Sequence, residues 1–226
     1  METISSHFGP FGGGDCEDVP ELAPRYNIAP TEPVAVIRAG RGARVLETRR
    51  WGLVPHWAKQ ATGPPMFNAR SETLAEKPAF RDAFRQRRCL VPADGFYEWF
   101  SVSGRRQPFH FRRKDGAPFA MAGLYADWQP PTGETLLAGP PVASCTIVTT
   151  RANALLAPIH DRMPVLLPPE AIEDWLDPEP REAGSLARWF EPASEEGWLS
   201  YPVDPRVNRA RNDDPANVEP LFDEVP

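Results

Sequence analysis

Cysteine is scarce in this chain. Cys16, Cys89 and Cys145 are an odd number at wide spacing, which argues against a disulfide framework or a zinc knuckle and fits a reducing compartment. No apolar run reaches the roughly 18 residues of a membrane-spanning helix. The start, Met1-Glu-Thr-Ile-Ser-Ser6, lacks the basic-then-apolar order of a secretory signal. A cytoplasmic location is therefore expected, with no membrane partner. The chain contains no Gly-Xaa-Ser-Xaa-Gly elbow, no Gly-rich phosphate loop ending in Lys-Ser/Thr and no His-Glu-Xaa-Xaa-His, so the corresponding hydrolase, nucleotide and zinc templates fail. No metal and no cofactor are expected.

What is present supports a sizeable core. The chain has 226 residues, of which 41% are hydrophobic and 10% aromatic, enough for one large domain. We read residues 1–226 as a single domain, with a loose lead-in over 1–24 around Gly12-Gly13-Gly14 and a tail over 222–226. Net charge is −6, but its distribution matters more than its sum. Basic residues, nearly all arginine, cluster at Arg49-Arg50, Arg81–Arg88, Arg105-Arg106 and Arg112–Lys114. Acids crowd 170–196 and the C-terminal end. Arginine is the better fork for phosphate; such runs are also common on plain solvated faces.

Apolar periodicity predicts strands over 34–38 and 44–50 around Ala39-Gly-Arg-Gly42, and over 96–100 and 108–112 around Ser103-Gly104. Both pairs read as hairpins. Further strands are predicted at 89–92, 119–125 and 144–150. A helix is predicted over 71–88, with Leu74, Phe80 and Phe84 on one face and Ser71 or Glu72 as a cap. Short helices are expected at 153–159 and 169–176. Residues 189–204 read as irregular, and Pro130–Pro141 as a surface loop. Strands dominate without strand–helix alternation, so the expected class is α+β with a mainly antiparallel, barrel-like sheet and peripheral helices.

Several polar residues sit in apolar frames where folding alone does not ask for them. In Phe96-Tyr-Glu98-Trp99-Phe100, the Glu98 side chain shares a strand face with two phenylalanines. It is either at an edge, paired with an arginine, or in a semi-apolar pocket that raises its pKa and suits acid–base work. His160, in His160-Asp-Arg162-Met-Pro164, is either a structural hydrogen-bonder or a proton shuttle on a stiff loop. Asn68, in Asn68-Ala-Arg70, is either a turn former or an orienting amide, and Arg70 can clasp a phosphate. Thr149, Thr150 and Arg151 end a strand and can also reach phosphate. Trp51, Trp57, Trp99 and Trp128 are either core or stacking surfaces; interleaved with arginine they suit single-stranded nucleic acid. Cys16 lacks a cationic neighbour that would activate a thiolate, and Cys89 and Cys145 read as core.

Tyr26-Asn-Ile-Ala-Pro30, Trp51-Gly-Leu-Val-Pro55, Asn68-Ala-Arg-Ser-Glu-Thr73, Gly95-Phe-Tyr-Glu-Trp99 and His160-Asp-Arg-Met-Pro164, in this order, resemble the SOS response-associated peptidase family. The resemblance runs over about 20–222 and includes Val207-Asn208 to Glu219-Pro220-Leu221. It implies a monomeric domain that recognises abasic sites in single-stranded DNA. It also implies that a cysteine exposed by removal of the initiator Met forms a Schiff base and then a thiazolidine with the opened sugar, and cleaves a leader peptide where one exists. By the same resemblance Asn68 positions the amine or sugar, Glu98 is the acid/base, and His160 assists proton transfer. Arg70 and Arg162 hold phosphates, with Thr149 added from its place at the strand end, and Trp99, Trp57 and Pro30 pack against bases. The family opens Met-Cys-Gly-Arg, whereas this chain opens Met1-Glu2-Thr3-Ile4, followed by what resembles the family's first helix. We therefore expect an upstream start carrying the cysteine. The alternative is a non-covalent module that shields damaged or single-stranded DNA.

Overall fold

The computed structural model describes residues 2–12, 22–61, 63–64, 66–102, 104–131, 140–181 and 183–222. Cys16, the Gly13-Gly14 pair, the middle of the Pro130–Pro141 loop and the last four residues lie outside them.

Two-residue alternation of apolar side chains makes the strands. They are β1 (Pro33–Ala39), β2 (Arg44–Trp51), β3 (Asn68–Arg70), β4 (Arg88–Ala93), β5 (Phe96–Val102), β6 (Arg105–Arg113), β7 (Phe119–Trp128), β8 (Val142–Arg151), β9 (Arg162–Pro164), β10 (Leu166–Leu167) and β11 (Trp198–Pro202). The helices are α1 (Glu2–Phe8), α2 (Arg81–Gln86) and α3 (Ile172–Leu176). This is the α+β, strand-dominated class expected.

Strands β7, β4, β1, β2 and β8 pair in that order, and β8 returns to β7, closing a ring. β3 joins β8 in parallel, placing Asn68 opposite Ile147 and Arg70 opposite Thr149. The ring is buried on both faces. Ile37, Leu90, Ala122, Leu124 and Val148 face one side with Phe8, Phe84 and Trp175 from the three helices. Val34, Val36, Cys89, Val91, Met121, Cys145 and Ile147 face the other with Phe111 of β6. A separate antiparallel sheet, β11–β6–β5, packs on that second side.

Both hairpins form as the sequence indicates, with Gly42 and Gly104 at φ of 84° and 77°, values that favour glycine. Four expectations change. The 71–88 helix is broken: Ser71–Thr73 is a 3₁₀ turn and α2 begins only at Arg81. Pro78 lacks an N–H and disfavours helical backbone at Lys77, although Leu74, Phe80 and Phe84 are buried as expected. Neither Ser71 nor Glu72 caps a helix. Residues 153–159 form consecutive turns instead of a helix. The stretch read as irregular contains β11, which pairs with β6 from Trp198↔Arg113 to Pro202↔Phe109. The lead-in is helical over Glu2–Phe8, Phe8 is buried, and Phe11 bridges to Arg44.

Candidate functional site

The β4–β5 turn is where the fold first constrains the site. A Cβ on Gly95 would lie 2.0 Å from Nε2 of His110, so only glycine lets β5 start so close to the buried imidazole. His110 Nδ1 lies 3.0 Å from the Tyr201 hydroxyl, which donates to Val218 O at 2.8 Å. Burial holds the His110 pKa down to about 4. This neutral, fixed imidazole backs the strand that presents Glu98 two residues after Phe96.

Glu98 is a carboxylate with little to balance it. Its side chain is only 22% exposed, and burial is the largest influence on its pKa, raising it; His160 opposes that shift. No arginine forms an ion pair with it among the described residues. The nearest cationic candidate is His160, with Nδ1 4.0 Å from Oε2. That is beyond hydrogen-bond range but leaves room for one bridging water or substrate atom. Of the readings open for Glu98 from the sequence, the semi-apolar pocket describes it.

His160 is set by its own loop. Its backbone N–H donates to Leu156 O at 3.0 Å, and the Arg162 N–H donates to its Nδ1 at 3.0 Å. The Arg162 carbonyl oxygen also lies 3.1 Å from Nδ1, so Nδ1 accepts from the N–H in one tautomer and donates to the carbonyl in the other. The Asp161 carboxylate lies 3.5 Å from Nδ1 on the other side.

Asn68, Glu98, His160, Trp99 and Pro30 all line one cleft of about 1900 Å³. The cleft wraps both sides of β5, so Glu98 and Trp99 belong to one continuous wall. Next to Pro30, Thr31 has a φ of 79° and donates its N–H to Trp51 O at 2.7 Å. A β-branched residue in the left-handed region is a strained turn, here at the cleft rim.

The remaining candidates lie elsewhere. Arg70 stands on the same side of β3 as Asn68, exposed and without an ion pair among the described residues. Arg162 forms a bidentate pair with Glu72 at 2.6 and 2.9 Å and donates to Thr149 O at 2.6 Å. That pairing holds the Glu72 carboxyl down to about 2. Thr149 is buried. Trp57 is 54% exposed but outside the cleft wall. Trp51 and Trp128 are anchored by indole N–H bonds to Phe67 O and Ala58 O. Cys89 and Cys145 are fully buried, and burial raises both thiols, Cys145 to about 12.

Three cleft residues were not singled out as site residues from the sequence: Arg106, read only as part of a basic cluster, whose guanidinium carbon lies 5.5 Å from the Trp99 ring centre; His110; and Asn208, which accepts from Trp99 Nε1 at 2.6 Å. Asn208 and Trp99 are 109 positions apart, and no local pattern joins them. Among the described residues, no helix is long and apolar enough to cross a membrane.

The chain is thus an α+β fold built on a ring of strands, with a half-buried carboxylate, a loop-held imidazole and an exposed amide on one cleft. The family model described as "SOS response associated peptidase (SRAP)" matches residues 2–210, and this chain belongs to that family. The abasic site processing protein YoqW of Bacillus subtilis is 39% identical, over 88% of this chain and 87% of its own. The abasic site processing protein YedK of Escherichia coli is 32% identical, over 89% and 87%. The abasic site processing protein HMCES of Gallus gallus is 36% identical, over 90% of this chain and 68% of its own. Among solved structures, a Bacteroides thetaiotaomicron protein is similar with a TM-score of 0.74 at 28% identity, over 85% of this chain and 82% of that one.

Proposed function

We propose that this protein processes abasic sites in single-stranded DNA, seating the opened sugar between Asn68, Glu98 and His160. The observation that carries this reading is the Glu98–His160 pair: a carboxyl whose pKa burial raises stands 4.0 Å from an imidazole, on a cleft that Asn68 also lines. Names of relatives that match most of the chain support the substrate. In this reading a terminal amine adds to the C1′ aldehyde and water leaves as the imine forms. A neighbouring thiol then adds to the imine carbon, its proton passing to nitrogen, and a thiazolidine closes. Glu98, protonated, delivers the proton that turns the hydroxyl into water, and as carboxylate takes one back. His160 shuttles protons at the same gap, and Asn68 orients the amine or aldehyde. Arg70 and Arg162 contact flanking phosphates, and Trp99 and Pro30 meet bases.

In this reading, as the resemblance to the family implies, thiol and amine belong to one N-terminal cysteine; Cys16, Cys89 and Cys145 are internal and carry no free α-amine, and burial raises the thiols of Cys89 and Cys145. A polypeptide whose N-terminal residue is not cysteine is expected to bind without forming an adduct. Equilibrium binding to single-stranded oligonucleotides with and without one abasic site tests recognition. An abasic preference is expected, with log affinity falling by about 0.7 per decade of log salt for each phosphate held. Equal affinity for both oligonucleotides overturns the reading. On a denaturing gel, a heat-stable adduct from this polypeptide would assign the chemistry to another nucleophile. In a form carrying the N-terminal cysteine, Glu98→Gln is expected to slow crosslinking about a hundredfold with affinity retained; an unchanged rate removes Glu98 from the chemistry.

A further inference from the structure

Trp99 is held by one hydrogen bond that fixes more than the indole. An indole N–H only donates, so the Asn208 atom 2.6 Å from Nε1 is Oδ1. The amide cannot be flipped without placing two donors against each other. Nδ2 therefore points away from Nε1, and it has no hydrogen-bond partner among the described residues. Asn208 is exposed and, like Trp99, lines the cleft.

The turn beneath this amide is rigid. Asn208 ends the 3₁₀ turn Pro205–Asn208, whose start is capped by Asp204 accepting from the Arg206 N–H at 2.8 Å. Val207 is buried. The Arg206 side chain forms a bidentate pair with Asp214 at 3.2 and 2.7 Å, and Asn212 Nδ2 donates to Arg206 O at 2.8 Å. An aromatic plate, a guanidinium over its ring and a fixed pair of amide donors at its N–H edge thus stand together. Each meets a different part of a nucleotide: the base face, the phosphate and the base edge.

We propose that Asn208 reads the edge of the nucleobase that stacks on Trp99, donating from Nδ2 to an acceptor on that edge. This rests on the single-stranded DNA reading above and adds a selectivity to it. The ligand class is a base with an edge acceptor, such as the carbonyl oxygens of thymine. A base surface lacking acceptors would leave the Asn208 donors unpaired when water is displaced.

The test uses the full chain and two single-stranded oligonucleotides carrying a tetrahydrofuran abasic analogue. One is flanked by thymine, the other by difluorotoluene, which matches thymine in shape but accepts hydrogen bonds poorly. The unaltered protein is expected to prefer thymine by about five- to tenfold. Asn208→Asp keeps an acceptor for Trp99 Nε1 and removes the donors; Asn208→Ala removes both. Both variants are expected to bind the two oligonucleotides equally. The charge of the Asp variant cancels because the comparison is made within each protein. No preference in the unaltered protein, or an unchanged preference in either variant, overturns the inference while leaving abasic-site binding standing. Failure of the unaltered protein to prefer any abasic oligonucleotide over intact DNA overturns the proposed function, and this inference with it.

Discussion

Arg88 and Glu98 are both charged groups withdrawn from water on consecutive strands, and the fold treats them in opposite ways. Arg88, 4% exposed, forms no ion pair among the described residues, yet its guanidinium donates to five backbone carbonyls, those of Phe84, Arg85, Trp175, Asp177 and Glu179. Phe84, Arg85 and Trp175 lie in the last turns of α2 and α3, whose carbonyls lack helical partners, and Asp177 and Glu179 follow α3. Burial lowers the Arg88 pKa from its ordinary value, but the side chain stays fully engaged. Glu98 has the opposite setting: no arginine pairs with it directly among the described residues, Arg106 acts only from a distance, and an imidazole stands 4.0 Å away. One buried charge ties two helices to the ring. The other is left under-compensated in a cleft, where burial raises a carboxyl's pKa above its ordinary value.

Removing the first charge is the harshest way to break that contrast. Arg88→Met keeps the apolar stem and leaves five carbonyls without their donor. A loss of about 3–5 kcal/mol is expected, seen as a fall in melting temperature of about 10 °C and as a lower urea midpoint. Affinity for abasic single-stranded DNA, measured per folded molecule, should be retained. A stability loss below about 1 kcal/mol would mean that water replaces Arg88 readily.

Glu98→Gln sharpens the contrast from the other side. Folding raises the Glu98 pKa, so the folded state holds its proton to higher pH than the unfolded chain does. The stability from Glu98 is therefore present below the ordinary carboxylate range and is lost as pH rises through the folded pKa. Glutamine removes that dependence. The variant is expected to match the parent at low pH and to exceed it by about 1 kcal/mol at neutral pH, measured by denaturant unfolding across pH. A variant less stable than its parent at neutral pH would show that Glu98 is better compensated than its surroundings indicate.

The same contrast explains what could be read in the sequence. Glu98 was visible as a carboxylate between phenylalanines because its setting is local, within β5. Both hairpins were visible for the same reason, from glycine turns between alternating runs. Arg88 looked like part of a basic surface run, because its five acceptors are main-chain atoms on distant segments and carry no side-chain signature. Strand β11 was hidden by the prolines around Trp198–Pro202, whose pairing is supplied by β6 eighty and more positions earlier. Pro78 did signal the break before α2, but the apolar spacing of Leu74, Phe80 and Phe84 masked it; those side chains meet in the core through a turn instead of along one helix. The Asn208 contact with Trp99 depends on a capped turn far along the chain, so residue type alone could not single it out.

The smallest expected effect concerns a third charge. Glu72 is 53% exposed and pairs in bidentate fashion with Arg162, whose backbone N–H also holds His160 Nδ1. Its carboxyl is held down to about 2, so its pH dependence opposes that of Glu98: the stability it supplies is present above the ordinary carboxylate range and is lost as pH falls towards 2. With the Glu72 side of the pair open to solvent, Glu72→Gln is expected to cost less than about 1 kcal/mol at neutral pH. Its effect on DNA should be easier to see. The Arg162 charge, no longer shared with a carboxylate, attracts a phosphate more strongly. Affinity for single-stranded oligonucleotides is then expected to rise about two- to fivefold at low salt, and the gain should shrink as salt increases. The gain should also vanish when Arg162→Ala is added. A fall in affinity would assign the pair a different task, because Arg162 would then serve the site by holding the His160 loop and not by meeting DNA.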